Sequence, residues 1–74
     1  MKTLNLIVTE NCELCEKGLV SISLLEKFFN INTVNLEDGY QEYLLRVPVL
    51  LDGTKVLDEG ILSKRTILKN YLFS

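Results

Sequence analysis

Cys12-Glu13-Leu14-Cys15 contains both cysteines of the chain. On an α-helix, residues i and i+3 share a face. Their Cα atoms then lie on the order of 5 Å apart, inside the window of roughly 4.4 to 6.8 Å that a disulfide spans. The pair can therefore open and close a disulfide with little backbone movement. Cys12, placed at a helix start, faces free N–H groups and the positive end of the helix dipole, which favour its thiolate, the nucleophilic form. Cys15 lies one turn inside, on an apolar stripe, and is expected to be the more buried. This geometry gives attack on a substrate disulfide to Cys12 and resolution of the mixed disulfide to Cys15. The spacing also suits half of a four-cysteine site, in which two protomers bridge zinc or an iron–sulfur cluster, and it suits an inert pair at a helix start. One chain completes no such metal site, since it has no further cysteine and no histidine. The lack of histidine also excludes Cys-His and Ser-His nucleophilic pairs.

Glu10, Glu13 and Glu16 surround Cys12 in sequence. Two readings of them stand side by side. Glu13 and Glu16 stabilise a first helical turn; alternatively the acidic rim repels anionic glutathione and selects a basic or protein partner. Tyr40 and Tyr43 precede Val47-Pro48 and are expected to pack the core edge with their hydroxyls in water. Lys17 reads as a solvated helix partner, and Gly18 on the buried stripe predicts a close approach between helix and sheet.

These residues need a scaffold, and the patterning supplies one. Thr3 to Thr9 reads as a central strand through the near-continuous run Leu4, Leu6, Ile7, Val8. Asn11 is a candidate cap. From Cys12 to about Phe29 the spacing is helical: Cys15, Gly18, Ile22, Leu25 and Phe29 recur at threes and fours, with Leu14, Leu24 and Phe28 widening the stripe. Ile31 to Leu36 alternates as a strand at the sheet edge. A turn at Glu37-Asp38-Gly39 leads to a short helix over Tyr40 to Leu45. Val47 to Leu51 is a third strand, Asp52-Gly53 a hairpin turn, and Lys55 to Leu57 the return strand. Ser63 to about Phe73 is a last helix, with Ser63 a candidate cap and Ile67, Leu68, Tyr71 and Leu72 its apolar stripe. The first two strands flank a helix and are expected to be parallel through a right-handed crossover. The expected architecture is α/β, in the order β-α-β-α-β-β-α, with a four-stranded mixed sheet and helices on both faces.

Composition bounds the rest. The 74 residues predict one domain over 1–74, and 47% hydrophobic content argues against disorder. A net charge of −2 with eight scattered Lys and Arg gives no basic stripe for a nucleic acid. No apolar run approaches the roughly 18 residues that cross a bilayer. The N-terminal apolar stretch is broken by Asn5 and followed by Glu10 and Asn11 rather than a cleavage site, so the expected compartment is the reducing cytoplasm.

With Cys12-Glu13-Leu14-Cys15 after the first strand and Arg46-Val47-Pro48-Val49-Leu50 before a hairpin, the chain resembles the thioredoxin superfamily, most of all its small glutaredoxin-like branch. The resemblance covers Leu4 to Leu72. It implies a thioredoxin-like fold and a cis bond at Val47-Pro48 beside the dithiol. There the Val47 backbone would present an N–H and a C=O to an incoming chain, with Val47 and Pro48 as the substrate-binding wall. It implies a thiol–disulfide oxidoreductase acting on protein or small-molecule disulfides, expected to be a monomer, with an external reductant that the sequence does not identify. No motif implies an organic cofactor or a resident metal; the Cys12–Cys15 disulfide itself is the redox centre. Glutathione would have to bind without its usual residues. Thr9-Glu10-Asn11 precedes Cys12 where those glutaredoxins carry a lysine, and Asp58-Glu59-Gly60-Ile61-Leu62-Ser63 replaces their Gly-Gly and acidic signature. Asn11 also stands where thioredoxins carry tryptophan. Beside the enzyme reading stand the cluster- or zinc-bridging module and a redox-inert adaptor that uses the dithiol surface to bind protein.

Overall fold

The computed structural model describes residues 2–73; Met1 and Ser74 lie outside them. Four strands, β1 (Lys2–Val8), β2 (Phe29–Asn35), β3 (Val49–Asp52) and β4 (Lys55–Glu59), and two α-helices, α1 (Glu13–Ser21) and α2 (Lys64–Leu72), make an α/β fold. The strand order is β2-β1-β3-β4. β1 pairs parallel with β2 and antiparallel with β3, and β3 pairs antiparallel with β4, so the sheet is mixed. The apolar strands β1 and β3 are internal, and the polar β2 is an edge, as its alternation predicts.

The period-2 alternation of the strands divides the core. Leu4 and Leu6 of β1, Leu50 of β3 and Leu57 of β4 join one cluster with Ile22, Leu25, Phe29, Leu62 and Ile67. Leu19 and Tyr71 pack against it, so both α-helices contribute to this cluster. The intervening strand residues Ile7, Val49 and Leu51 form a second cluster with Leu36. Tyr40, Tyr43 and Val47 cover that cluster from the two short 3₁₀ segments, Leu36–Asp38 and Gln41–Tyr43, and the loop after them.

The helix expected from Cys12 to Phe29 is shorter. α1 ends at Ser21, a 3₁₀ segment covers Ser23–Lys27, and Phe29 opens β2. The stripe Cys15, Gly18, Ile22, Leu25 and Phe29 is buried throughout, because a 3₁₀ turn also returns every third residue to one side. The flanking Leu14, Leu24 and Phe28 are exposed instead. α1 ends where the Ser23 hydroxyl donates to the Val20 carbonyl at 2.9 Å, a local competitor of the helical ladder.

The other departures are local. The Tyr40–Leu45 helix is a single 3₁₀ turn, β3 starts at Val49 rather than Val47, and β4 runs on to Glu59. In α2, Ile67 is buried and Tyr71 half-buried, while Leu68 and Leu72 are exposed. Ser63 is the N-cap residue of α2, but its hydroxyl makes no cap hydrogen bond. The far end of α2 is tied to β4 by the Asn70 side-chain amide, which donates to the Leu57 carbonyl at 2.7 Å, and by the Lys55 ammonium on the Asn70 carbonyl. No helix among the described residues is long and apolar enough to cross a membrane.

Candidate functional site around the Cys12–Cys15 pair

β1 delivers the chain to the site. Beyond Val8, Asn11 takes a left-handed conformation at φ 55°. Among non-glycine residues asparagine tolerates that region well, because its short polar side chain bonds locally. Asn11 is therefore not the helix cap that its residue type suggests. Cys12 holds that position: its backbone is extended and its sulfur accepts the Cys15 N–H at 3.1 Å. Its carbonyl accepts the Glu16 N–H at 3.2 Å, the first bond of the helical ladder.

Cys12 and Cys15 are joined by a disulfide with Cα atoms 5.2 Å apart. The two are unequal. Cys15 is 3% exposed, whereas Cys12 is half-buried and reaches solvent. Glu10, Glu13 and Glu16 are exposed around the pair. Leu14, between the cysteines, is 43% exposed. With Gly18, Ile61 and Leu62 it lines a groove of about 270 Å³ whose rim carries Lys17 and Ser21.

The Val47-Pro48 peptide bond is cis. Pro48 is fully buried and reaches α1: a Cβ built at Gly18 would lie 3.2 Å from Pro48 Cγ and 2.8 Å from Leu62 Cδ1. Gly18 thus makes a close approach, though not to the sheet that its place on the stripe predicts. The approach is to the proline loop and to Leu62, one turn past Cys15 on the same helix face.

One sequence expectation needs correction. The Val47 N–H is not open to an incoming chain, because it donates to the Tyr43 carbonyl at 3.1 Å. The 3₁₀ turn that ends at Tyr43 runs directly into the proline loop and takes up that amide. Tyr43 packs on the second core cluster and lies under the Arg46 guanidinium, 5.3 Å from its ring centroid. Arg46 also pairs with the Glu59 carboxylate.

Sequence reasoning missed the part played by the segment after β4. The Gly60 N–H points at two carbonyls of the proline loop, Arg46 at 3.2 Å and Pro48 at 2.9 Å. Gly60 itself sits at φ 71°, in the left-handed region that favours glycine. The signal available in sequence was Asp58-Glu59-Gly60, which reads as a simple strand end. No protein-family model matches the chain, and no curated protein sequence matches it.

Proposed function

We propose that this chain is a thiol–disulfide oxidoreductase with a thioredoxin-like, glutaredoxin-like fold, in which Cys12 is the nucleophile and Cys15 the resolving thiol. The observation that carries the reading is the asymmetry of the pair. Cys12, half-buried, caps α1 with its sulfur, which accepts a backbone N–H, and its partner is buried one turn further on. The cis Val47-Pro48 bond against the same helix supports it. In this reading the helical layers lie on both faces of the sheet, with the 3₁₀ segments as the second layer.

In the reduced protein the Cys12 thiolate attacks one sulfur of a substrate disulfide. A Cys12–substrate S–S bond forms, the substrate S–S bond breaks, and the departing sulfur takes a proton from water. Cys15 then loses its proton and attacks the Cys12 sulfur. The intramolecular disulfide closes and the second substrate thiol leaves. Two electrons pass from the dithiol to the substrate, and an external thiol reductant returns them. The N–H of Cys15 holds the Cys12 sulfur in place and favours its anionic form. The Val47 carbonyl and the Pro48 ring form the wall against which the substrate lies. The substrate is a disulfide in a protein or small molecule, no organic cofactor takes part, and the protein works as a cytoplasmic monomer.

The test uses reduction of a disulfide substrate by the purified protein with dithiothreitol as the electron source. Cys12→Ser abolishes turnover, and Cys15→Ser, reduced and then freed of dithiothreitol before substrate is added, accumulates a mixed disulfide visible by mass spectrometry. Wild-type turnover in both variants would refute the assignment.

A further inference from the structure

The segment between β4 and α2 is folded back on itself by one side chain. Asp58 Oδ1 accepts the Glu59 N–H at 2.9 Å, and Asp58 Oδ2 accepts the Ser63 N–H at 2.8 Å. Both oxygens of a half-buried carboxylate are thereby engaged. Charge-assisted bonds of this kind are among the stronger ones available to a loop. They bracket Gly60, whose N–H spans the Arg46 and Pro48 carbonyls, and Leu62, which is 5% exposed and packs where α1 lacks a side chain at Gly18. On the outer side the Glu59 carboxylate holds the Arg46 guanidinium. Asp58 makes no hydrogen bond to Val47 or Pro48 themselves. It fixes the turn that grips them from both ends.

Resting on the oxidoreductase reading, we propose that Asp58 is a positioning residue: by closing the Glu59–Ser63 turn it holds the Val47-Pro48 wall in register with Cys12, and so sets how fast a peptide disulfide docks without setting the reactivity of the thiol. Small misplacements of a group that orients substrate cost one to two orders of magnitude in rate. An S–S exchange needs the attacking sulfur and both disulfide sulfurs in line, whereas alkylation of the same thiol by a small reagent needs only an accessible thiolate.

The test is made in Cys15→Ser protein, where Cys12 is the single thiol, with Asp58→Asn and Asp58→Ala added in turn. Two second-order rates are measured on each protein: mixed-disulfide formation with the homodimeric disulfide of N-acetyl-Ala-Cys-Ala-amide, and alkylation by iodoacetamide. Asp58→Ala is expected to slow the first roughly tenfold and to leave the second within about twofold. Asp58→Asn keeps one acceptor oxygen and is expected to lose about threefold in the first rate only. Thermal melts confirm that each variant is folded, and the near-isosteric Asn variant carries the test if the Ala variant is not.

Slowing of both rates together, or of neither, overturns the proposal. Equal slowing by Asn and Ala also overturns it, since that outcome belongs to the lost charge and not to the turn. Should the Cys15→Ser parent react with the peptide disulfide no faster than N-acetyl-cysteine amide does, the oxidoreductase reading itself falls. A failure confined to Asp58 leaves the parent's rate high.

Discussion

Replacing Gly18 with alanine tests how closely α1 approaches the proline loop. In a helix the change normally stabilises by roughly 0.5 to 1 kcal/mol, through lower backbone entropy in the unfolded chain. Here the new methyl would lie 2.8 Å from Leu62 Cδ1, 3.3 Å from Leu62 Cγ and 3.2 Å from Pro48 Cγ. Leu62 is a flexible side chain, but at 5% exposed it has little room to turn, and the Pro48 ring is fully buried. Inserting a methyl into such packing costs about 1 to 3 kcal/mol. The overpacking exceeds the propensity gain, and the net is a destabilisation of about 1 kcal/mol, which in a domain of this size lowers Tm by about 4 to 8 °C. A double-mutant cycle with Leu62→Ala isolates the cause. Once the leucine is truncated only the Pro48 contact remains, and Gly18→Ala is expected to stabilise that background by about 0.5 kcal/mol. Urea and thermal unfolding of the four proteins give the coupling. If Gly18→Ala raises Tm equally in both backgrounds, the close approach does not exist and the reasoning is refuted.

Two further outcomes are expected. In the reduced protein, iodoacetamide labels Cys12 before Cys15 by at least about tenfold, because Cys15 is 3% exposed and inert buried thiols react slowly; peptide mapping after partial labelling reads this, and equal labelling would contradict the burial asymmetry. Asn70→Ala removes the donor to the Leu57 carbonyl and is expected to destabilise by about 1 to 2 kcal/mol. Unchanged urea unfolding would mean that this bond does not hold α2 to β4.

Much of this architecture is legible in the residues. Leu4, Leu6 and Ile7 mark a strand buried on both faces, and Asp52-Gly53 marks the hairpin, because one face or one turn determines each pattern. The disulfide reach of the Cys12–Cys15 pair is legible because it depends on a three-residue spacing and little else. The end of α1 is not. Ile22, Leu25 and Phe29 satisfy a helix, a 3₁₀ turn and a strand start equally well, and the choice among them is made by packing against the rest of the fold, which the pattern does not carry. The identity of the cap is hidden for a related reason. Asparagine is both a good cap and a good left-handed residue, and which role Asn11 takes depends on where β1 releases the chain. The grip of Gly60 on Arg46 and Pro48 joins backbone atoms from two segments, and backbone hydrogen bonds between loops leave little trace in side-chain pattern.

The uneven cover of the sheet has a consequence for motion. Both α-helices contribute to one core cluster, while the other rests under two 3₁₀ turns and a loop. Native proteins open in units whose free energies follow the apolar surface each unit buries. Amide exchange is therefore expected to be fastest in the segment from Leu36 to Val47 and slowest in β1 and β3. Val47 lies in the faster layer, while Pro48 is held against α1 by Gly18 and Leu62. The two layers thus meet at the Val47-Pro48 step, and the Gly60 N–H, shared between the Arg46 and Pro48 carbonyls, ties the thinner layer to the thicker one there.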